Sequence, residues 1–96
     1  LSAADEARLS GNVARSVIDI IRQNKPDAGT LHPEMNLEID LGLDSLARAE
    51  VFAALEQAFA TEFTAEQAAS ALTVAQLIDL ASQTEAGKRA LENDAA

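Results

Sequence analysis

Apolar residues at three- and four-residue steps predict an amphipathic helix near the start of the chain. Ser2 and the acids after it form a suitable helix start, while Gly11 is a weak point that allows a start near Asn12. Pro26 ends the helix, because its ring disfavours helical backbone just before it. The apolar stripe consists of Leu9, Val13, Val17, Ile18, Ile20 and Ile21.

Residues 26–43 contain both prolines and two of the four glycines, and they show no helical period. We predict an ordered loop here, unusually long for a small domain. A strand is the alternative, but it would have no visible partner. Apolar residues recur at near-alternate positions and are expected to pin several side chains onto a helical core. They are Leu31, Met35, Leu37, Ile39, Leu41 and Leu43.

The helical period returns in a second helix, from Ser45 to about Ala60. Asp44 or Ser45 can cap its start. The residues expected on its buried face are Val51, Phe52, Leu55 and Phe59.

Two capping boxes predict two more helices. Thr64 and Gln67 open a short third helix through about Ser70, and Thr73 and Gln76 open the last one. The last helix is expected to bury Val74, Leu77, Ile78 and Ala81.

The predicted fold is all-α, a small four-helix bundle of three main helices and one short helix, with the long ordered loop between helices one and two. Residues 1–81 form the domain, with a core over about 9–81. After Ser82 the pattern weakens, and Gly87 with its polar, Ala-rich surroundings predicts a frayed tail or linker over residues 82–96. Ala86–Leu91 can add a helical turn.

Composition removes several classes of function. The 96 residues include no Cys and one His, His32, which excludes a disulfide scaffold, a thiol nucleophile, Cys-based metal sites and a multi-histidine metal site. A net charge of −9 argues against nucleic acid or an anionic membrane as partner. No apolar run is long enough to span a bilayer.

The negative charge is concentrated in the middle of the chain. Residues 31–66 carry eight acidic residues and one basic residue, a net charge of −7. Such a segment is either a solvated acidic face or a docking surface for basic partners.

The run Asp40-Leu41-Gly42-Leu43-Asp44-Ser45-Leu46 places a Ser hydroxyl at a helix start just after a Gly turn. Helix N-termini present free N–H groups and a partial positive charge, which favour a phosphate. Ser45 is therefore well placed to carry a phosphoester. A simple helix cap explains the same local pattern.

The run and its context resemble the acyl carrier protein family. Leu55-Glu56 and Phe59 stand in the family's register, with Ala49-Glu50 at the position of its Val-Glu pair. The entries to the third and fourth helices, at Phe63 and Thr73, also match, so the resemblance covers about residues 9–81.

The resemblance implies that Ser45 carries 4′-phosphopantetheine, donated by coenzyme A through a phosphopantetheinyl transferase that uses Mg²⁺. The arm's thiol then carries acyl groups for fatty acid, polyketide or related lipid synthesis, and the domain itself catalyses nothing and binds no metal. His32 is expected to be a surface or loop-packing residue. Gly42, Asp44 and Leu46 accompany Ser45 at the cofactor site, with Gly42 allowing a tight turn and Asp44 contributing to recognition by the transferase.

The implied partners are the transferase and acyl-transfer, ligase or synthase enzymes with basic patches, without nucleic acid or membrane insertion. The family further implies a cytoplasmic monomer. The expected partner-binding face of helix two comprises Leu46, Ala49, Glu50, Ala53, Glu56 and Gln57. The residues expected in the core, or beside a sequestered acyl chain, are Val51, Phe52, Leu55, Phe59 and Ile78.

Three features depart from the family pattern. Ala47 and Arg48 replace an acid after the Ser-Leu pair, which is expected to weaken attraction to a basic partner there. Ala60 stands where Gly commonly ends helix two, so that helix is expected to run longer. The long ending and the start at Leu1 suggest a domain excised from a larger synthase or ligase, with a free-standing carrier as the alternative.

Three other functions remain open at this point. A peptidyl or aminoacyl carrier is the nearest, although Leu43-Asp44 favours acyl cargo. An acidic helical interaction module would keep the fold without modification. A small hydrolase using Ser45 would cleave esters without coenzyme A.

Overall fold

The computed structural model describes residues 11–94, and the side chains of residues 11–89 within that range. This part of the chain is helical and contains no strand, apart from a single antiparallel bridge between Asn36 and Thr73. The prediction of an all-α bundle is confirmed. The predicted features at Ser2 and Leu9 lie outside the described residues. The helices are α1 (Asn12–Asn24), α2 (Ser45–Ala58), α3 (Ala65–Ser70), α4 (Val74–Ser82) and α5 (Glu85–Asp94).

Helix α1 is the central helix, since it packs against α2, α4 and α5. Gly11 is extended and serves as the N-cap, which starts the helix at Asn12. The predicted stripe is buried from Val13 to Ile21, with Ile18 at its margin. Among the helices of residues 11–94, none is both long and apolar enough to cross a membrane.

The segment between α1 and α2 is the ordered loop that the sequence predicts. Its backbone is tied to the start of α4: the Leu37 N–H donates to the Leu72 carbonyl at 2.9 Å, and the Val74 N–H donates to the Met35 carbonyl at 3.0 Å. Ile39 is an exception to the alternating pattern, with 84% of its surface exposed. The loop residues buried in the core are Leu31, Pro33, Leu37, Leu41 and Leu43.

Helix α2 ends at Ala58, so the expectation of a longer helix is wrong. Ala60 adopts a positive φ of 50°, the left-handed conformation that ends many helices. The Thr61 N–H then donates to the Glu56 carbonyl at 3.0 Å. The left-handed conformation costs a non-glycine residue roughly 1–2 kcal/mol. Ala60 adopts it because the chain must turn there toward α3.

Helices α3 and α4 begin as predicted. Thr64 and Gln67 form a complete capping box at α3, and Thr73 and Gln76 form one at α4. Helix α4 buries Val74, and with it Leu77 and Ala81, whereas no residue within α3 is buried.

Residues Glu85–Asp94 form a helix, where the sequence predicted a frayed tail or linker with a possible helical turn over Ala86–Leu91. Helix α5 packs against α1 and α4. Thr84 holds its start, because its hydroxyl accepts from the Gly87 N–H at 2.9 Å and donates to the Ala81 carbonyl at 2.7 Å. Gly87 is buried, and a Cβ built on it would collide with the Ala81 carbonyl oxygen. The glycine therefore marks close helix packing and not the end of the fold.

Replacing Gly87 with Ala should destabilise the protein. Helix propensity alone favours Ala by about 1 kcal/mol, but the added methyl group collides with backbone, and such overpacking costs typically about 1–3 kcal/mol. We expect Gly87→Ala to lower the free energy of unfolding in a urea titration. Lys88→Ala, an exposed change on the same helix, is the control and should have little effect. A Gly87→Ala protein more stable than the parent would contradict the packing of α5.

Candidate functional site

Ser45 is the first residue of α2 and is exposed to solvent. Asp44 precedes it as the N-cap, and the Asp44 carboxylate accepts from the Ala47 N–H at 2.8 Å. The capping role expected of Asp44 or Ser45 therefore belongs to Asp44. The Ser45 hydroxyl is left at the open end of the helix.

The turn before Ser45 is built by side chains that bind backbone. The Asn36 amide oxygen accepts from the N–H groups of Glu38 and Ile39, both at 2.9 Å. Asp40 accepts from the Asn36 N–H at 2.7 Å. Gly42 has a φ of +69°, which glycine adopts at no steric cost. Because nothing lies within 4 Å of a Cβ built on Gly42, conformation and not crowding requires glycine there.

A cleft of about 280 Å³ opens beside Ser45, between α2 and α3. Most of its surface is apolar, because its walls are mainly alanine and phenylalanine side chains. A second cavity of about 470 Å³ lies between α3 and α4 and does not include Ser45. The residues lining the first cleft are Ser45, Arg48, Ala49, Phe52, Ala68 and Ala69.

One face of α2 points into solvent, and it contains most of the expected partner-binding residues. Leu46 is 69% exposed. Glu50, Ala53 and Gln57 follow it along the same face and are exposed, and Ala49 is exposed at the edge of the cleft. Together, Leu46, Glu50, Ala53 and Gln57 are called the α2 outer face below.

Glu56 is not part of the α2 outer face. It is half-buried, and its carboxylate accepts from the Phe63 N–H at 2.8 Å. This bond holds the chain as it enters α3. Glu56 therefore has a structural contact that the sequence did not indicate.

The residues expected in the core or beside an acyl chain do not all lie at the cleft. Phe52 lines the cleft and meets the ring of Phe63 edge-on, with ring centroids 6.1 Å apart. Ile78, on α4, is half-buried. The others, Val51, Leu55 and Phe59, are buried in the core and do not line the cleft.

Arg48 has a role that the sequence analysis missed. Its guanidinium binds Glu38 at 2.6 Å and donates to the carbonyl oxygens of Ala68 and Ala71. Only 18% of its side chain is exposed, so it contributes little free positive charge to the surface that partners would meet. Its position three residues after Ser45 on one helix places the two side chains near each other, but no sequence signal joins it to Glu38 or to α3.

His32 is half-buried in the loop, where its backbone N–H donates to the sulfur of Met35 at 3.3 Å. Within the described part of the chain, His, Asp and Glu side chains form no group of three that could hold a metal ion. The site thus consists of an exposed Ser hydroxyl, a capped helix end, an apolar cleft and an exposed helix face that carries one acid, Glu50.

Comparisons with known proteins identify this arrangement. Residues 13–81 match the family described as the phosphopantetheine attachment site. The chain is 39% identical over 71 residues to an acyl carrier protein of Syntrophobacter fumaroxidans, and the aligned region covers 73% of this chain and 88% of that relative. It is 38% identical over 69 residues to acyl carrier protein 3 of Ralstonia nicotianae, and the aligned region covers 66% of this chain and 78% of that relative.

The matched region begins in α1 and ends in α4, so it includes the loop, Ser45 and the cleft. The group that the family carries is 4′-phosphopantetheine, and its members bear cargo without catalysing its chemistry. The chain therefore belongs to the acyl carrier protein family, as a phosphopantetheine-bearing carrier and not an enzyme.

Proposed function

We propose that Ser45 is the residue to which 4′-phosphopantetheine is attached. The observation that carries this proposal is the exposure of Ser45 at the capped N-terminus of α2, directly beside an apolar cleft. An attachment residue must enter a second protein's active site, and an exposed helix end meets that requirement. Asp44 already supplies the cap, so the Ser45 hydroxyl is not needed for it.

The residues around Ser45 fit a phosphodiester. The N–H groups of Ser45 and Leu46 belong to the first helical turn and have no intrahelical acceptors. They and the helix dipole favour a negative charge at this end. The Asp44 carboxylate repels a negative phosphate. A Mg²⁺ ion brought by the transferase would offset this repulsion, because the carboxylate and the phosphate both attract the cation.

The attachment is a phosphoryl transfer. The Ser45 oxygen forms a bond to the phosphorus that bears pantetheine, the pyrophosphate linkage of coenzyme A breaks, adenosine bisphosphate leaves, and the hydroxyl proton goes to a base of the transferase. The attached arm supplies a thiol that holds acyl groups as thioesters. The chain's own residues present the hydroxyl, keep the helix end fixed and offer the cleft to the cargo.

The proposed cargo is an acyl chain of fatty acid, polyketide or related lipid synthesis. The apolar cleft suits such a chain, and both relatives above are named acyl carrier proteins. Of the five residues expected from the sequence in the core or beside the acyl chain, Phe52 is the one that lines this cleft. We further propose that the carrier acts as a monomer in the cytoplasm, where the enzymes of these pathways would load and unload it.

The α2 outer face is the proposed docking surface for the transferase and for acyl-transfer, ligase or synthase enzymes. It combines an exposed leucine beside Ser45 with the free carboxylate of Glu50. The two ion pairs of the described residues, Lys25–Asp27 and Arg48–Glu38, do not involve Glu50. Charge complementarity of this kind speeds association and selects partners while leaving the complex free to dissociate.

Incubation with coenzyme A, Mg²⁺ and a broad-specificity phosphopantetheinyl transferase should add one phosphopantetheine group, observed as a single shift in intact mass. Ser45→Ala should abolish the addition, and Ser16→Ala, an exposed change on α1, should leave it unchanged. Addition that persists in Ser45→Ala would contradict the proposed site. No addition to the parent chain would favour the unmodified interaction module.

Substitutions at Asp44 can separate its capping role from its charge. Asn caps a helix about as well as Asp, whereas Ala costs about 1 kcal/mol. We expect Asp44→Ala to lower thermal stability and Asp44→Asn to preserve it, while both slow the transfer of phosphopantetheine about tenfold or more, equivalent to roughly 1.4 kcal/mol of barrier. A normal rate for Asp44→Asn would mean that Asp44 is only a cap.

Reversing one charge on the α2 outer face should slow modification more than reversing one elsewhere. Glu50→Lys and Asp19→Lys change net charge equally, and both residues are exposed. At low salt, we expect the second-order rate constant of modification to be about threefold or more lower for Glu50→Lys than for Asp19→Lys. The difference between the two variants should shrink as the salt concentration rises. Circular dichroism should show unchanged helicity. Equal rates for the two variants at low salt would exclude the outer face as the docking surface.

A further inference from the structure

Helix α3 is held to the rest of the protein in an unusual way. It has six residues, none of which is buried, and Ala68 is its one half-buried position. The principal helix packings of the described residues join α1 with α2, α4 and α5, and α4 with α5. Apolar contact at α3 therefore rests mainly on Ala68 and on the flanking Phe63 and Ala71, and polar contacts supplement it at both ends of the helix.

The N-terminal end of α3 is fixed from α2 by Glu56. Its carboxylate accepts from the Phe63 N–H, one residue before the capping box at Thr64. Phe63 also packs its ring against Phe52. These contacts join the entry of α3 to the second half of α2.

The C-terminal end of α3 is fixed from α2 by Arg48. The guanidinium donates to the Ala68 carbonyl at 3.1 Å and to the Ala71 carbonyl at 3.2 Å. The last carbonyls of a helix have no intrahelical donors and carry a partial negative charge, so a cation suits them. The same guanidinium binds Glu38 of the loop at 2.6 Å and thereby connects three segments.

These contacts lie at the wall of the cleft beside Ser45. Arg48, Ala68 and Ala69 all line it, so moving the last turn of α3 away from α2 would widen it.

We propose that Arg48 is a latch that holds the last turn of α3 against α2 and thereby sets how readily the cleft admits a long acyl chain. Arg48 is a positioning residue in this account. It determines which cargo is sheltered without touching the phosphoester. The functional half of the proposal rests on the attachment of the arm at Ser45, whereas the latch itself is a property of the unmodified chain.

The expected effect follows from a two-state equilibrium. The Arg48 contacts stabilise the closed cleft, and a long chain binds the open cleft. The apparent affinity of a long chain is proportional to the fraction of protein whose cleft is open. Removing the latch should therefore increase the sheltering of long cargo and leave short cargo, which does not need the wider cleft, unaffected.

The first test uses amide hydrogen exchange on the unmodified protein. Arg48→Met keeps most of the side chain's apolar stem and removes the guanidinium. We expect the amides of Ala68 to Ser70 to exchange at least about fivefold faster, while those of α1 are unchanged. Glu38→Gln should give a smaller change in the same direction, because the contacts to α3 remain. Arg15→Met, an exposed change on α1, is the control and should leave α3 unaffected.

Two outcomes of this test would overturn the latch. Unchanged exchange in α3 would show that Arg48 does not hold it. Equal acceleration in every helix would make Arg48 a general stabilising residue with no special relation to the cleft.

The second test measures sheltering directly, with octanoyl and acetyl thioesters loaded on the arm and cleaved by hydroxylamine. We expect the octanoyl thioester of Arg48→Met to react about threefold or more slowly than that of the parent, with the acetyl thioester unchanged. An octanoyl rate that is unchanged or faster would overturn the functional half of the proposal. A chain that accepts no arm at all would instead refute the proposed function, and hydrogen exchange would still decide whether the latch exists.

Discussion

Leu41 and Leu43 are buried on either side of Gly42, and their burial determines where α2 begins. With both leucines in the core, the chain must turn at Gly42 and leave the next residues at the surface. Asp44 then caps the helix and Ser45 stands exposed on its first turn. In the proposed function, the exposed hydroxyl enters another protein's active site while the leucines before it stay in the core. A carrier needs this combination, since its attachment point has to be accessible while the helix beneath it stays folded.

The charged residues of the middle segment serve two different purposes. Arg48 and Glu56 point toward α3 and hold its two ends, and Glu38 completes the contact at Arg48. Glu50 stands free on the α2 outer face. The net charge of −7 on residues 31–66 therefore includes acids that are already engaged within the fold. The electrostatic field that would reach a basic partner comes from the remaining carboxylates. Arg48 weakens this field less than its formal charge suggests.

Local signals predicted the parts of the fold that depend on local interactions. Both capping boxes form because the side chains and amides that they join are only three residues apart. The exposure of Ser45 and Leu46 depends in addition on the burial of Leu41 and Leu43 in the core. The alternating loop residues were also interpreted correctly as a pinned loop, with the exception of Ile39.

The features that the sequence did not reveal depend on distant contacts. Ala60 adopts a left-handed conformation because the chain must return to α3, whereas an Ala in place of the family's usual Gly indicated a longer helix. Gly87 was interpreted as a break, although it allows α5 to approach the Ala81 carbonyl. Arg48 joins residues that lie 10, 20 and 23 positions away. Pattern reasoning has no access to such pairings, and for this reason it treated Arg48 as a surface charge.

We propose above all that Ser45 bears the arm and that the cleft between α2 and α3 receives the cargo. The most direct measurement compares amide NMR spectra of the unmodified, phosphopantetheine-bearing and octanoyl-loaded chain. Attachment should shift the signals of Ser45 and Leu46, and loading should further shift those of Ala49, Ala68 and Ala69. Unchanged signals at Ser45 after attachment, or loading shifts confined to the cavity between α3 and α4, would contradict the account.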